Sequence, residues 1–481
     1  MWSLKKEKGV PIYISIIELI LAHIKTGKLL PGDRLPSERK LASYFQVNRS
    51  TVVHALDELV ALGWVVRKQG SGTIVNTGKW GIRTTPRTDW RQYLEQNAFH
   101  KVEPFTEKVE QLLQQAPNNL IDGYTGELPL DLVPTFEFPP LTWKHFLEEE
   151  QQDDLGYFPL RQSICRDISA QYDFSLSSEN ILITSGAQQA LFLILQVLLK
   201  PGDSVAIESP SFLYSLPIFQ AAGIRLYGVE MDEEGICVDS LEKVALKHRI
   251  KMVMVNPSFQ NPTGKSMSMK RRLDLIEFCQ SYQMPIVEDD VFGQLNFESS
   301  PLIQPLKKLD PENVLYIGSL SKILGSTTKI GWLSAPHSVI KQLAEARKMM
   351  DFSLSIFPQL LANMAMTDPL YLTKITLLKK EIKKRGQAVF QLLNSMNEWE
   401  VEMPKGGLYI WARWKKGNLK QTDWSLFLQE QLLIAPGFFF SEKQDCIRIN
   451  FSRIDETNFF SFKKSIEKIT LKLLSEKNKI D

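Results

Sequence analysis

Cysteine is scarce in this chain: four in 481 residues, at Cys165, Cys237, Cys279 and Cys446. No two stand in a CxxC spacing and no histidine cluster lies nearby. A disulfide framework or a metal site is therefore not expected, and reduced thiols are. Long hydrophobic runs are missing too. The strongest, residues 190–199, is half of what a membrane span needs. The N-terminal residues, Met-Trp-Ser-Leu-Lys-Lys-Glu-Lys, hold no apolar stretch of the secretory type. An excess of one charge is also lacking. Lys and Arg number 57 against 55 Asp and Glu, a net charge of +2, which argues against a globally basic nucleic-acid coat protein. Repeats and low-complexity tracts are absent from the sequence. With 43% hydrophobic and 23% charged residues, the composition excludes wholesale disorder, collagen and coiled coil. The expectation is a soluble, cytoplasmic, metal-free protein that does not span a membrane. At roughly 150 residues per domain, the length suggests about three domains, or one small beside one large.

The charge is unevenly spread. Residues 1–76 carry 11 basic and 6 acidic side chains, a surplus of +5 that leaves −3 for the remainder. This basic head, residues 1–76, is dense in periodic apolar positions. Residues 77–119 are polar and turn-rich (Gly78, Gly81, Pro86), with short helical patches, and read as a linker. From residue 120 to 481, strand-like apolar runs (residues 180–184, 204–208, 251–256, 285–289, 314–317) alternate with amphipathic helical patterns (188–199, 270–282). That alternation predicts a three-layer α/β domain around a mostly parallel sheet.

In the head, Ile12, Ile16, Leu19, Ile20 and Ile24 recur at helical spacing, and the first helix should end near Gly27. Ser37 is placed to cap a short second helix reaching Phe45. After the turn Gln46-Val47-Asn48, Asn48 is placed to cap a third helix carrying Val52, Leu56, Leu59 and Val60. Two strand-like stretches, 64–68 and 73–75, flank Gln69-Gly70-Ser71-Gly72 and form a hairpin, or wing. A winged helix-turn-helix of this kind would put Asn48, Arg49, Ser50 and Thr51, at the N-terminus of helix three, in the DNA major groove. Ser37, Arg39, Lys68, Gln69 and Gly70 would flank on the backbone or minor groove. The periodicity by itself also suits a small helical oligomerisation module with a solvated basic face.

In the body, Tyr316-Ile317-Gly318-Ser319-Leu320-Ser321-Lys322 is a buried-strand pattern that ends in small residues and a lysine. Such a lysine can form a Schiff base, although most lysines after strands are merely surface residues. Thr184-Ser185-Gly186-Ala187-Gln188 leads into an apolar helix whose exposed N–H groups suit a phosphate. Asn256-Pro257-Ser258-Phe259-Gln260-Asn261-Pro262-Thr263-Gly264 is a polar turn after a strand. Pro285-Ile286-Val287-Glu288-Asp289-Asp290 is a strand ending in carboxylates, one of which could pair with a protonated ring nitrogen.

Two resemblances rest on these residues. Leu35-Pro36-Ser37-Glu38-Arg39-Lys40-Leu41-Ala42, Val47-Asn48-Arg49-Ser50-Thr51-Val52, Leu62-Gly63-Trp64 and Gln69-Gly70-Ser71-Gly72-Thr73 resemble the GntR-type DNA-binding domain over residues 11–75. Val53 stands where many members carry arginine. The body motifs, with Gly156-Tyr157, Leu160-Arg161, Glu208-Ser209-Pro210, Pro404-Lys405-Gly406-Gly407-Leu408-Tyr409, Pro436-Gly437 and residues 447–452, resemble fold-type I, class I/II aminotransferases that use pyridoxal 5'-phosphate. The resemblance implies that Lys322 holds the cofactor as a Schiff base, Asp289 pairs with its ring nitrogen and Asn261 bonds its ring hydroxyl. Ala187, Gln188, Ser319 and Ser321 would bind its phosphate. Arg448 would clamp the carboxylate of an incoming amino acid, and Tyr214 is assigned to the same effector. Three cofactor positions depart from the family pattern. Lys329 replaces an expected arginine, and Phe292 and Phe212 replace tyrosines, so the tuning of the ring and of its proton transfers is reduced.

Head, linker and body in this order resemble the MocR subfamily of GntR-type regulators. The resemblance implies a pyridoxal-phosphate-dependent transcriptional regulator that binds double-stranded promoter DNA as a homodimer, packed head to tail, and senses an amine or amino acid. The competing expectation is a working aminotransferase, a transferase with an accessory DNA-binding domain. Phe212, Phe292 and Lys329 count against it.

Overall fold

The structure is a computed structural model, and it describes residues 2, 4, 11–26, 28–68, 72–77, 104–115, 117, 119–149, 153–298, 303–351 and 354–477. The chain divides into two compact units, Met1–Lys101 and Val102–Asp481.

Among its described residues the first unit holds three helices, α1 (Ile12–Lys25), α2 (Glu38–Phe45) and α3 (Arg49–Ala61). A hairpin of β1 (Val65–Lys68) and β2 (Gly72–Val75) follows. The strands pair antiparallel, with Val65 opposite Val75 and Lys68 opposite Gly72. The apolar faces read from the sequence meet in one core: Ile16, Ile20, Ile24, Leu41, Phe45, Val52, Leu56 and Leu59 are buried together. Each such side chain contributes roughly 1.5–3 kcal/mol on leaving water. Ser37 caps α2, its hydroxyl accepting from the Lys40 amide at 3.4 Å. Asn48 stands at the N-cap of α3 with extended φ and ψ, yet its side chain makes no capping bond. The expectation that it caps is thus corrected. Its backbone alone ends the turn, and Gln46, in the left-handed region at φ 52°, carries the reversal. Gly27, Gln69 and Gly70 lie outside the described residues.

In the second unit, helix α4 (Pro104–Gln115) buries Phe105 and Val109 in the main body core. This stretch falls inside the span 77–119 read as a linker, and residues 78–103 lie outside the described residues. The main sheet has eight strands. They are β3 (Ile181–Thr184), β4 (Ser204–Ser209), β5 (Arg225–Asp232), β6 (Gly235–Ile236), β7 (Met252–Val255), β8 (Ile286–Asp289), β9 (Val314–Ser319) and β10 (Gly331–Ser334). Their spatial order is β3-β10-β9-β8-β7-β4-β5-β6. The contacts β9–β8, β8–β7, β7–β4 and β4–β5 are parallel. Those of β10 with β9 and β3, and of β6 with β5, are antiparallel. The inner strands are largely apolar because helices cover both faces, with polar residues gathered toward their carboxyl ends; every residue of β7 and β9 is buried. Helix α5 (Ala187–Leu198) follows β3, and α6 (Met269–Ser281) lies between β7 and β8. A smaller four-stranded sheet follows, with β11 (Trp399–Glu400), β12 (Tyr409–Trp414), β13 (Ala435–Pro436) and β14 (Cys446–Asn450) in the order β11-β12-β14-β13. The loops at the carboxyl ends of β3, β4, β7, β8 and β9 gather the body's functional residues, as open parallel sheets generally do.

Candidate functional site: an amine pocket and a basic helix terminus

In the body, strand register sets the first contacts. Ser319 lies opposite Gly331 and Gly331 opposite Thr184, so three strand ends form one row beneath the start of α5. A Cβ on Gly331 would come within 2.7 Å of the Ala187 amide nitrogen, so only glycine lets the helix end approach so closely. Gly186, at φ 83°, faces open space. The Gly186 amide donates to the Thr184 carbonyl at 2.9 Å, and α5 starts close above this row, where the Ser319 hydroxyl bonds the Ile330 carbonyl and the Ser321 amide at 3.3 and 3.2 Å. Lys329 is exposed, at φ 48°. Ala187, Gln188, Phe212, Asn256 and Asp289 line one small cavity. Part of Asp289 borders that cavity, but its Oδ1 is sealed from water and has no hydrogen-bond partner. Burial lifts this carboxyl to about 7, Asp290 adds to the rise, and the Val291 amide and Lys322 oppose it.

A scaffold of amides holds the neighbouring turn. Asn256 donates to the Asp289 carbonyl at 2.6 Å, and its own Oδ1 accepts from the Asn261 amide at 2.7 Å. The Phe212 amide donates to the Asn261 carbonyl at 3.1 Å. Below it lies Glu208, pushed up to about 8 by burial despite bonds from Asn256 and Gln260. The side-chain Oδ1 of Asn261 accepts from Arg448 Nη1 at 3.0 Å. Arg448, on β14, is buried, packs on the rings of Tyr409 (4.4 Å) and Phe440 (5.0 Å), and leaves Nε without a partner. Burial lowers its affinity for a proton, and the surrounding Tyr409, Tyr124 and Asp122 oppose that.

The sequence reading missed the segment that joins these groups. Residues 121–127 run past the site as a strap whose carbonyls face inward. Arg448 Nη2 donates to the Tyr124 carbonyl at 2.9 Å, and Lys322 Nζ to the Gly126 carbonyl at 2.8 Å. The Tyr409 hydroxyl also donates to Gly126 O, at 3.0 Å. Asn450 anchors the strap through the carbonyls of Thr125 and Glu127, and Asp122 caps the amides of Tyr124 and Thr125. Phe292 is buried with its ring 5.8 Å from Lys322 Nζ, edge-on to Tyr409. Tyr214 is not brought into this group. It is partly exposed, and its hydroxyl lies against Gly228 and Ser209. A larger cleft of about 350 Å³, lined by Ser258, Thr263, Lys265 and Lys405 among others, includes none of Lys322, Asp289 and Arg448. The smaller cavity takes in Asp289, while Lys322 and Arg448 lie along the strap outside its lining.

These donors suit a flat, phosphate-tailed cofactor with a basic ring nitrogen. The space in front of Gly186 is open, the orphaned Asp289 oxygen awaits a cation, and the Asn261 side-chain Nδ2 has no partner among the described residues.

In the head, Ser37, Arg39, Asn48, Arg49, Ser50 and Lys68 are exposed, and Thr51 is half-exposed. Residues 48–51 form the start of α3, where uncovered amides favour anions. Arg49 is already engaged: its Nε and Nη2 donate to Glu38 Oε2 at 3.1 and 2.7 Å. Among the described residues, no helix is long and apolar enough to cross a membrane. No group of three metal-ligating side chains is found among them either.

Comparison with known proteins gives the same two parts. Residues 12–75 match the family described as bacterial regulatory proteins, gntR family, and residues 139–460 match aminotransferase class I and II, a family whose members depend on pyridoxal phosphate. The chain is 34% identical over 462 residues to the uncharacterized HTH-type transcriptional regulator YisV of Bacillus subtilis, covering 94% of each chain. It is 27% identical to the HTH-type transcriptional regulator NorG of Staphylococcus aureus, over 87% of this chain and 95% of that one. Among solved structures, an archaeal alanine:glyoxylate aminotransferase superposes with a TM-score of 0.71 at 27% identity, covering 81% of this chain and all of that one. The kynurenine aminotransferase of Pyrococcus horikoshii, solved in complex with PMP, superposes at 0.70 with 26% identity, over 80% and 99%. The chain belongs to the transcriptional regulators that join a GntR-type helix-turn-helix domain to an aminotransferase class I and II body, the MocR arrangement.

Proposed function

We propose that the body is the sensor of this regulator: it holds pyridoxal 5'-phosphate at Lys322 and receives an amine or amino acid whose arrival alters the head's hold on promoter DNA. The observation that carries the reading is the shared strap. Lys322 Nζ and Arg448 Nη2 donate to carbonyls two residues apart, Gly126 and Tyr124, so a lysine able to carry the aldehyde and a guanidinium able to clamp a carboxylate flank one short segment. When bound, the cofactor supplies an aldehyde that condenses with amines and a ring that draws electrons from the adjoining carbon. Lys322 provides the amine that an effector displaces. Asp289 offers its unpartnered oxygen to the ring nitrogen, and Asn261 its amide to the ring hydroxyl. Ala187, Gln188, Ser319 and Ser321 hold the phosphate, with Lys329 as a point charge where a forked guanidinium would grip more firmly. Arg448 orients the effector by its carboxylate, exchanging the Tyr124 carbonyl for a charged acceptor.

Phe212 and Phe292 carry no hydroxyl to move protons near the ring, which favours sensing over turnover. Leu130, Trp143, Leu147 and Leu372 are more than half exposed. These large apolar side chains suit a homodimer, and the head-to-tail arrangement follows from the family resemblance. A DNA-bound regulator of this kind works in the cytoplasm. The effector can shift the DNA-binding state by no more than its differential affinity for the two states. The test is fluorescence anisotropy of labelled promoter duplex with cofactor-loaded protein, titrated with amino acids and with plain amines. A shift in DNA affinity that Arg448→Ala abolishes for amino acids alone supports the reading. Indifference to every amine contradicts it, and steady formation of 2-oxo acid would favour the aminotransferase alternative.

A further inference from the structure

We propose that Glu38 is a positioning residue for DNA recognition, clamping Arg49 so that one edge of its guanidinium is presented to a base. The inference rests on the reading of the head as the DNA-binding part. It begins from a count of donors. A guanidinium carries five N–H groups in a fixed plane. Glu38 Oε2 accepts from Arg49 Nε at 3.1 Å and Nη2 at 2.7 Å, which occupies the side edge of that plane. The end edge, both hydrogens of Nη1 and the second of Nη2, has no partner among the described residues. An end edge of this form matches the O6 and N7 acceptors of guanine in the major groove. Arg49 is the first residue of α3 and 57% of its side chain is exposed, so the clamped edge lies where a recognition helix meets a groove.

Glu38 is itself held. It is the first residue of α2, where the helix dipole favours a carboxylate. Its second oxygen, Oε1, lies 3.7 Å from Arg67 Nη2 on β1, and Arg67 Nη2 pairs with Asp57 of α3 at 2.7 Å. Two carboxylates and two guanidiniums thus link α2, α3 and the wing strand in a neutral chain of charges. Exposed pairs like these add little to stability. Their effect is geometric: a long side chain fixed before binding loses less freedom when it docks. Glu38 also subtracts one positive charge from the surface, so it weakens attraction to any phosphate backbone while sharpening the choice of base. A residue that served only to fold the head would not separate those two effects.

The experiment uses the full chain. Wild type, Glu38→Gln, Glu38→Asp and Arg49→Ala are each put through selection from a pool of randomised duplexes, and binding to poly(dA-dT), which offers no O6 and N7 acceptor pair, is measured across salt concentrations. Arg49→Ala is expected to erase the preference at one guanine position of each half-site. Glu38→Gln should blunt the same position by about fivefold, within the range a bidentate arginine contact confers. It should hold or tighten binding to poly(dA-dT) with a steeper salt dependence. Glu38→Asp, which keeps the carboxylate, should retain more of the preference. The proposal is overturned by an unchanged preference in Glu38→Gln, and equally by a change at a base pair that Arg49→Ala leaves alone, since Glu38 would then read a base itself. A wild type that selects no sequence removes the DNA-binding reading, and the clamp with it.

Discussion

In the head, Glu38, Arg49, Asp57 and Arg67 meet at the surface, with a quarter to more than half of each side chain in water. In the body, Asp289 Oδ1, Glu208 and Arg448 are buried, and Asp289 Oδ1 and Arg448 Nε have no partner among the described residues. The two regions therefore prepare for charged ligands in different ways. Exposed pairs are cheap to rearrange and can exchange a carboxylate for a phosphate or a base edge with little change in stability. A buried, unpaired charge is costly, so a ligand that supplies the missing partner gains what the empty site lacks. Geometry is the head's asset and desolvation the body's.

The comparison can be broken at several points. The largest effect is expected at Lys322. Lys322→Ala should abolish borohydride-trappable attachment of the cofactor, read by intact mass, and a retained adduct would show that another amine holds it. Next, Arg49→Ala should weaken operator binding by about tenfold and flatten its salt dependence by about one phosphate contact; an unchanged isotherm removes Arg49 from the interface. Asp289→Asn separates the regions most cleanly, because it should strengthen the empty body and weaken the loaded one. Asp289 and Glu208 are raised by folding, to about 7 and about 8. The stability they contribute is full below their unfolded values near 4 and is lost as pH rises through 7 and 8. Thermal unfolding of the cofactor-free protein should therefore show the body weakening from pH 5 to pH 8. Asp289→Asn should lessen that slope while lowering cofactor affinity about tenfold, the order expected for one charge-assisted bond. A variant with the same slope and the same affinity would contradict the pairing. The smallest effect is at Lys329: Lys329→Arg should tighten cofactor binding by roughly threefold through its forked geometry. Looser binding would show that the lysine is adapted to this site.

Much of this was legible because the responsible patterns are local. The helical spacing of Ile16, Ile20 and Ile24 led to three fully buried side chains. The small residues before Lys322 marked the end of β9, and the paired carboxylates the end of β8. The strap at residues 121–127 left no such mark. It acts through backbone carbonyls that any residue could supply, and it is fixed from afar by Asn450. The partnership of Glu38 with Arg49 was hidden for a similar reason, since it joins two helix starts eleven positions apart. Asn48 misled in the opposite way: its residue type fits a cap, but the local turn does not use its side chain. Helix α4 was legible as a helical patch within the span 77–119, but its polar setting hid that Phe105 and Val109 bury it in the body core.

The central claim is that one half-buried lysine joins an amine-sensing cofactor to a DNA-binding head. Visible absorbance of the full-length protein with pyridoxal 5'-phosphate, recorded while amino acids are added in the presence of promoter duplex, tests it most directly. The account predicts a yellow protein whose band shifts with the effector over the same concentrations that change DNA affinity, and no band in Lys322→Ala. A protein that stays colourless after reconstitution yet still regulates its promoter in response to amines would contradict it.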